Sequence, residues 1–131
     1  MSEKIDWASL RAIFESHPNV IAAWCFGSAQ NGLVGEKSDV DIAVLFRETP
    51  SLDDLVGLQA DLQKELQFDQ VDLVVLNDAS PITRFEAVSG RPVFCRDLSA
   101  RAEFVSLTAR EYEDAIAFIQ KGLRTYTPAK D

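Results

Sequence analysis

Three aspartates and a glycine–serine pair have the residue types of phosphate and metal chemistry. Gly27-Ser28 is followed, after ten intervening residues, by Asp39-Val40-Asp41, and Asp72 lies further on within Val71-Asp72-Leu73-Val74-Val75-Leu76. Side chains alternate along a strand, so Asp39 and Asp41 face one way while Val40, Ile42 and Val44 face the other. At the usual rise their Cα atoms stand roughly 6.6 Å apart. Two carboxylates that close repel each other unless a cation lies between them. Magnesium suits such a pair, because it takes a few carboxylate oxygens together with substrate phosphates.

Asp72 supplies a third acid. An unpaired carboxylate is costly to bury among apolar neighbours, so its place in this strand asks for a reason. Pairing beside the Asp39-Asp41 strand, at about 4.8 Å, would let it share a metal with them. Two metals about 3.5–4 Å apart activate an attacking oxygen and steady a leaving phosphate. Gly27 lets the backbone come close to a phosphate. The Ser28 hydroxyl and nearby N–H groups can donate to phosphate oxygens, and a helix starting at Ser28 would add favourable charge. Taken singly, Gly-Ser is an ordinary turn, Asp-x-Asp a solvated strand start and Asp72 an exposed sheet end. All three at the ends of apolar strands point instead to chemistry on a phosphorylated substrate.

These residues need a frame. Asp6 to His17 has helical spacing, with Trp7, Leu10, Ile13 and Phe14 on one face, and His17-Pro18-Asn19 ends it. Val20 to Phe26 is a continuous apolar run that predicts a buried strand closed by Gly27. Asp39 to Phe46 is the second strand. After Thr49-Pro50, Ser51 is a good N-cap, with Asp53 and Asp54 at the positive end of a helix. Leu52, Leu55, Leu58, Leu62 and Leu66 carry that helix to about Gln67. Gln70 to Leu76 is a third strand. Pro81 opens a short helix that closes at Gly90, and Val93-Phe94-Cys95 suggests a short edge strand.

The last element runs from about Leu98 to Leu123. Leu98, Ala102, Val105, Ala109, Tyr112, Ile116, Ile119 and Leu123 form a seam of the coiled-coil type. The order predicts an α/β or α+β fold, a small mixed sheet flanked by helices. With 131 residues the chain is expected to form one domain over 1–131, with a core of about 20–95 and a C-terminal helix of about 98–124.

Composition narrows the function classes. Hydrophobic residues make up 47% and charged residues 26%, the balance of a folded, soluble protein. No apolar run is long enough to span a bilayer, and the start Met1-Ser2-Glu3-Lys4-Ile5-Asp6 lacks the pattern of a secretory signal. A cytoplasmic location is therefore expected, with no membrane partner. Cys25 and Cys95 read as two half-buried thiols, and with one histidine they make no zinc site. The net charge of -8 disfavours direct nucleic-acid binding and favours a small substrate or a basic protein partner.

The joined pattern, Gly27-Ser28, then Asp39-x-Asp41, then Asp72 in an apolar strand, resembles the minimal nucleotidyltransferases of the polymerase-beta superfamily, from about Val20 to Cys95. The resemblance implies a polymerase-beta-like nucleotidyltransferase fold. It implies that Gly27 and Ser28 hold a nucleoside triphosphate and that Asp39 and Asp41 bind two magnesium ions. Asp72 would be the third metal-binding carboxylate, helping to deprotonate the acceptor hydroxyl. The implied reaction moves AMP from ATP to that hydroxyl and releases pyrophosphate. Many relatives carry an arginine shortly after the Gly-Ser pair. Asn31 stands there in this chain, and Lys37 is the cation that could replace it in nucleotide binding.

Freestanding domains of this kind resemble the antitoxin half of bacterial minimal nucleotidyltransferase/HEPN toxin–antitoxin pairs. There the implied acceptor is a tyrosine of the HEPN toxin, a ribonuclease, and the C-terminal seam could dock on it or pack on the domain's own sheet. Two other readings stand beside this one. One is a small-molecule nucleotidyltransferase of the aminoglycoside type. The other is a non-catalytic antitoxin that acts by binding alone, in keeping with Asn31.

Overall fold

A computed structural model of the chain describes residues 3–27, 33–34, 40–66 and 71–126. Along the chain it forms β1 (Glu3–Lys4), α1 (Trp7–Glu15), β2 (Val20–Phe26), β3 (Leu33–Val34), β4 (Val40–Phe46), α2 (Leu52–Leu66), β5 (Val71–Val75), a 3-10 turn (Leu76–Asp78), α3 (Pro81–Val88), β6 (Arg91–Cys95) and α4 (Leu98–Tyr126). Four strands form a mixed sheet in the order β5-β4-β2-β6. β2 is antiparallel to both β4 and β6, whereas β4 and β5 run parallel. A parallel pair needs a long crossover, and α2 provides it. β1 and β3 form a separate two-residue ladder.

The helices begin where local chemistry favours them. Asp6 caps α1, its carboxylate accepting from the N–H groups of Ala8 and Ser9. Ser51 and Asp54 form a reciprocal capping box at the start of α2, each side chain accepting from the other's backbone N–H at 3.0 Å. Ser80 caps α3 ahead of Pro81.

Both faces of the sheet are covered. On one, Leu10 and Phe14 of α1 and Leu58, Leu62 and Leu66 of α2 pack on Ala23, Cys25, Ile42 and Val44. On the other, Ala87 of α3 and Phe104 and Val105 of α4 pack on Trp24, Ala43 and Leu45. Strands buried on both faces read as unbroken apolar runs, which is why Val20–Phe26 and Ile42–Phe46 do.

α4 departs from the expected seam. Its middle is covered, with Thr108 fully buried, but Leu98, Ile119 and Leu123 are exposed, as is Phe118 at 78%. The helix also runs to Tyr126, beyond Leu123. The expected strand starts Asp39 and Gln70, and the helix end at Gln67, lie outside the described residues. Among the described residues no helix is long and apolar enough to cross a membrane.

Candidate active site

One end of the sheet gathers the chain ends that matter: the C-terminus of β2 and the N-termini of β4, β5 and β6. Phe26 stands opposite Asp41 across β2 and β4, and Asp41 opposite Asp72 across β4 and β5. Residues directly opposite one another point to the same face. Asp41 alternates with the buried Ile42, and Asp72 with Leu73. Both carboxylates therefore share the α3/α4 side of the sheet with Ala43 and Val74, at its open end. Asp41 is partly buried and Asp72 exposed. Asp72 thus does not carry the burial cost that its apolar neighbours suggested.

Gly27 follows Phe26 with φ +74°, a conformation that glycine adopts without the cost other residues meet. A Cβ at this position would come within 2.5 Å of Asp41 Oδ2 and 3.6 Å of its Cγ. The bare backbone is what lets the Asp41 carboxylate lie against the turn. A second glycine tightens the same end. At Gly90 a Cβ would meet the Cys25 carbonyl oxygen at 2.6 Å and Phe26 Cβ at 2.8 Å, so the turn into β6 lies flush on β2.

That turn sets Arg91 opposite Cys25, with its guanidinium 4.3 Å over the ring of Trp7. Arg91 is a cation at this end of the sheet that no sequence motif marks. Its register follows from β6 pairing along β2, a long-range contact without a local signature. Cys25 itself is no nucleophile. Burial, and then the negative charge of Asp41, hold its thiol up at about 11, with Arg91 opposing them. Cys25 and Cys95 are both free thiols, and the first is fully buried rather than half-buried.

Of the six residues expected at the site, Gly27, Asp41 and Asp72 are brought into one row across three strands. Ser28, Lys37 and Asp39, with Asn31, lie outside the described residues. The described carboxylates fit a hard divalent cation in donor type, since Mg²⁺ takes oxygen ligands and a small number of carboxylates. A row of two carboxylates beside a tight backbone turn suits a charged, oxygen-rich substrate bound through a cation.

The family model for polymerase beta nucleotidyltransferases matches residues 8–99. No curated protein matches the chain in sequence. Among solved structures, a mutant of the toxin-antitoxin MntA-HpeT is similar at 21% identity and a TM-score of 0.77, covering 95% of this chain and 100% of its own. A toxin-antitoxin structure with AMP-PNP has 24% identity, a TM-score of 0.77 and the same coverage. A third is a tri-AMPylated Shewanella oneidensis HEPN toxin in complex with its MNT antitoxin. It is similar at 22% identity and a TM-score of 0.70, over 93% of this chain and 96% of that one. At these identities the likeness is one of fold. The matched family region holds Gly27, Asp41 and Asp72 together, and the chain belongs to the polymerase beta nucleotidyltransferase family.

Proposed function

We propose that this chain is a magnesium-dependent adenylyltransferase that moves AMP from ATP to a tyrosine hydroxyl of a HEPN-family toxin and so acts as its antitoxin. The observation that carries this reading is the pairing of Asp41 with Asp72 across parallel strands, next to a glycine turn whose bare backbone faces the Asp41 carboxylate. The structural neighbours are consistent with it, since one is a complex with AMP-PNP and another holds an AMPylated HEPN toxin.

In this reading Asp39 and Asp41, with Asp72, hold two Mg²⁺ ions. Bound there, the ions neutralise the triphosphate and lower the pKa of the attacking hydroxyl. Gly27 and Ser28 receive the phosphates through backbone N–H groups and the serine hydroxyl, with Lys37 as the added cation. The acceptor oxygen attacks the α-phosphorus while the bond to the pyrophosphate oxygen breaks. Asp72, exposed at the sheet end, takes the acceptor's proton, and pyrophosphate leaves with the electrons of the broken bond.

Incubation with ATP labelled at the α-phosphate, Mg²⁺ and a HEPN-family protein, taken from the gene adjacent to this chain's where that gene encodes one, tests the proposal. Label should appear on a toxin tyrosine. Asp41→Ala and Asp72→Ala should each lower transfer on the order of 10²–10³-fold, as loss of a main charge-stabilising group does, while the melting curve stays in place. Undiminished labelling by Asp41→Ala would overturn the assignment.

A further inference from the structure

The two edges of the four-stranded sheet are built differently. β6 begins Arg91-Pro92, and proline with charge is how an edge is blunted against further pairing. β5 reads Val71-Asp72-Leu73-Val74-Val75, with neither proline nor lysine. No strand covers its outer side among the described residues. Beside that edge, on the α1/α2 side of the sheet, lies an open groove of about 420 Å³ walled by Leu55, Val56 and Ala60 of α2 and floored by Leu73 and Val75. Val56 is 59% exposed and Leu52, one turn before it, 76%. The Gln59 side-chain amide donates to the Val71 carbonyl at 2.7 Å, tying α2 to the start of β5.

We propose that this edge and groove bind the acceptor as an extended polypeptide segment of the partner protein, added as a fifth strand beside β5. The inference rests on the transfer reading above and names the surface that delivers the hydroxyl. Strand addition would align it directly. A residue set opposite Asp72 points to the same face as Asp72, about 4.8 Å away in the strand-to-strand direction. That is the face of the two carboxylates. Its two chain neighbours point to the other face, where the Leu55, Val56 and Leu73 groove receives apolar side chains. Main-chain hydrogen bonds would give the affinity and the groove the selectivity.

Charge identifies the segment further. The groove's own lining is uncharged, whereas the chain as a whole carries a net charge of -8, which attracts a basic segment. The occupant is therefore an acceptor residue between apolar neighbours, with lysine or arginine beyond them.

The probe is the synthetic peptide Lys-Val-Tyr-Val-Lys with blocked ends, beside a control in which both valines are aspartate. Added to the ¹⁵N-labelled full chain, the valine peptide should shift the amides of Leu73 and Val75 in NMR spectra, and the aspartate peptide should not. Val56→Asp, at a solvent-facing site, should raise the peptide's KM about tenfold, with the KM for ATP and the melting temperature unchanged. Peptide-induced shifts confined to other elements, no shifts at all, or an unchanged peptide KM in Val56→Asp would each overturn this surface while leaving AMP transfer standing. Shifts at β5 with no AMP transfer by the unmodified chain would uphold β5 as a peptide-binding edge and overturn the transfer reading instead.

Discussion

The two ends of the sheet are held by opposite means. At the end away from the carboxylates, side chains tie down the backbone. Arg96 donates to the carbonyls of Val20, Phe14, Glu15 and His17 and stacks on Phe94. Asn77 bridges the N–H and C=O of Phe46, and Asn19 those of Glu48. His17 reaches Asp61 of α2 at 2.8 Å. At the carboxylate end bare glycine backbone comes close to β2 and to Asp41, at Gly90 and Gly27, beside a side-chain bond to a strand carbonyl, from Gln59 to Val71, and the Arg91–Trp7 contact. One end uses polar side chains to satisfy carbonyls that turns leave open. The other sets Asp41 and Asp72 on one face at the open end of the sheet. The side-chain anchors and the proposed chemistry are thus separated along the strands by about one strand length.

That contrast can be broken from either side. The largest effect is expected for Arg96→Ala, which strips several carbonyls of a charged donor. A loss of about 3 kcal/mol follows from the usual worth of such bonds, or a melting temperature lower by on the order of 10 °C in a domain of this size. AMP transfer per folded molecule, measured well below the transition, should not change. Gly27→Ala should do the reverse. Left-handed backbone costs an alanine about 1 kcal/mol, so the melting point drops by only a few degrees. The added methyl, however, must displace the Asp41 carboxylate, and transfer should fall on the order of tenfold to a hundredfold. Equal damage to stability and transfer in both variants would erase the distinction between the ends.

A smaller effect sharpens it. The Asp97 carboxyl is held below its ordinary 3.8, first by the N–H of Ala100 and then by Arg47, against the opposing pull of desolvation. A depressed carboxyl contributes stability that is fully present above its ordinary value and is lost as pH falls through the lowered one. Thermal melts of the unaltered chain should therefore hold steady, as far as Asp97 is concerned, down to about pH 4 and weaken below it. Asp97→Asn should flatten that acid limb without touching transfer at neutral pH.

Much of this frame is legible in the residues. The apolar runs of β2 and β4, the capping residues Ser51 and Ser80 and the leucine stripe of α2 each announce their element locally. Gly27, Asp41 and Asp72 could be picked out because glycine and aspartate are conspicuous at the ends of such runs. Arg91 and Arg96 could not, because their partners lie on β2 and α1, far away in sequence. The fate of the α4 seam was hidden for a related reason. Periodicity tells which face of a helix is apolar, not how far its neighbours reach. α3 has 8 residues, about 12 Å, and α4 has 29, about 43 Å. The far end of α4 therefore runs past α3, and Phe118 and Leu123 are largely exposed there.

The crossover through α2 has one more consequence. Because β4 and β5 run parallel, Asp41 and Asp72 meet at the same sheet end although α2 and two connections separate them in the chain. Glu48 and Thr49, between β4 and α2, are exposed. A chain divided at that bond would yield a first fragment carrying Asp39 and Asp41 and a second carrying Asp72, neither with the full set of acids. Nucleotidyl transfer would then report on the meeting of the two fragments, and the fold would serve as a split reporter whose signal requires the β4–β5 ladder to close.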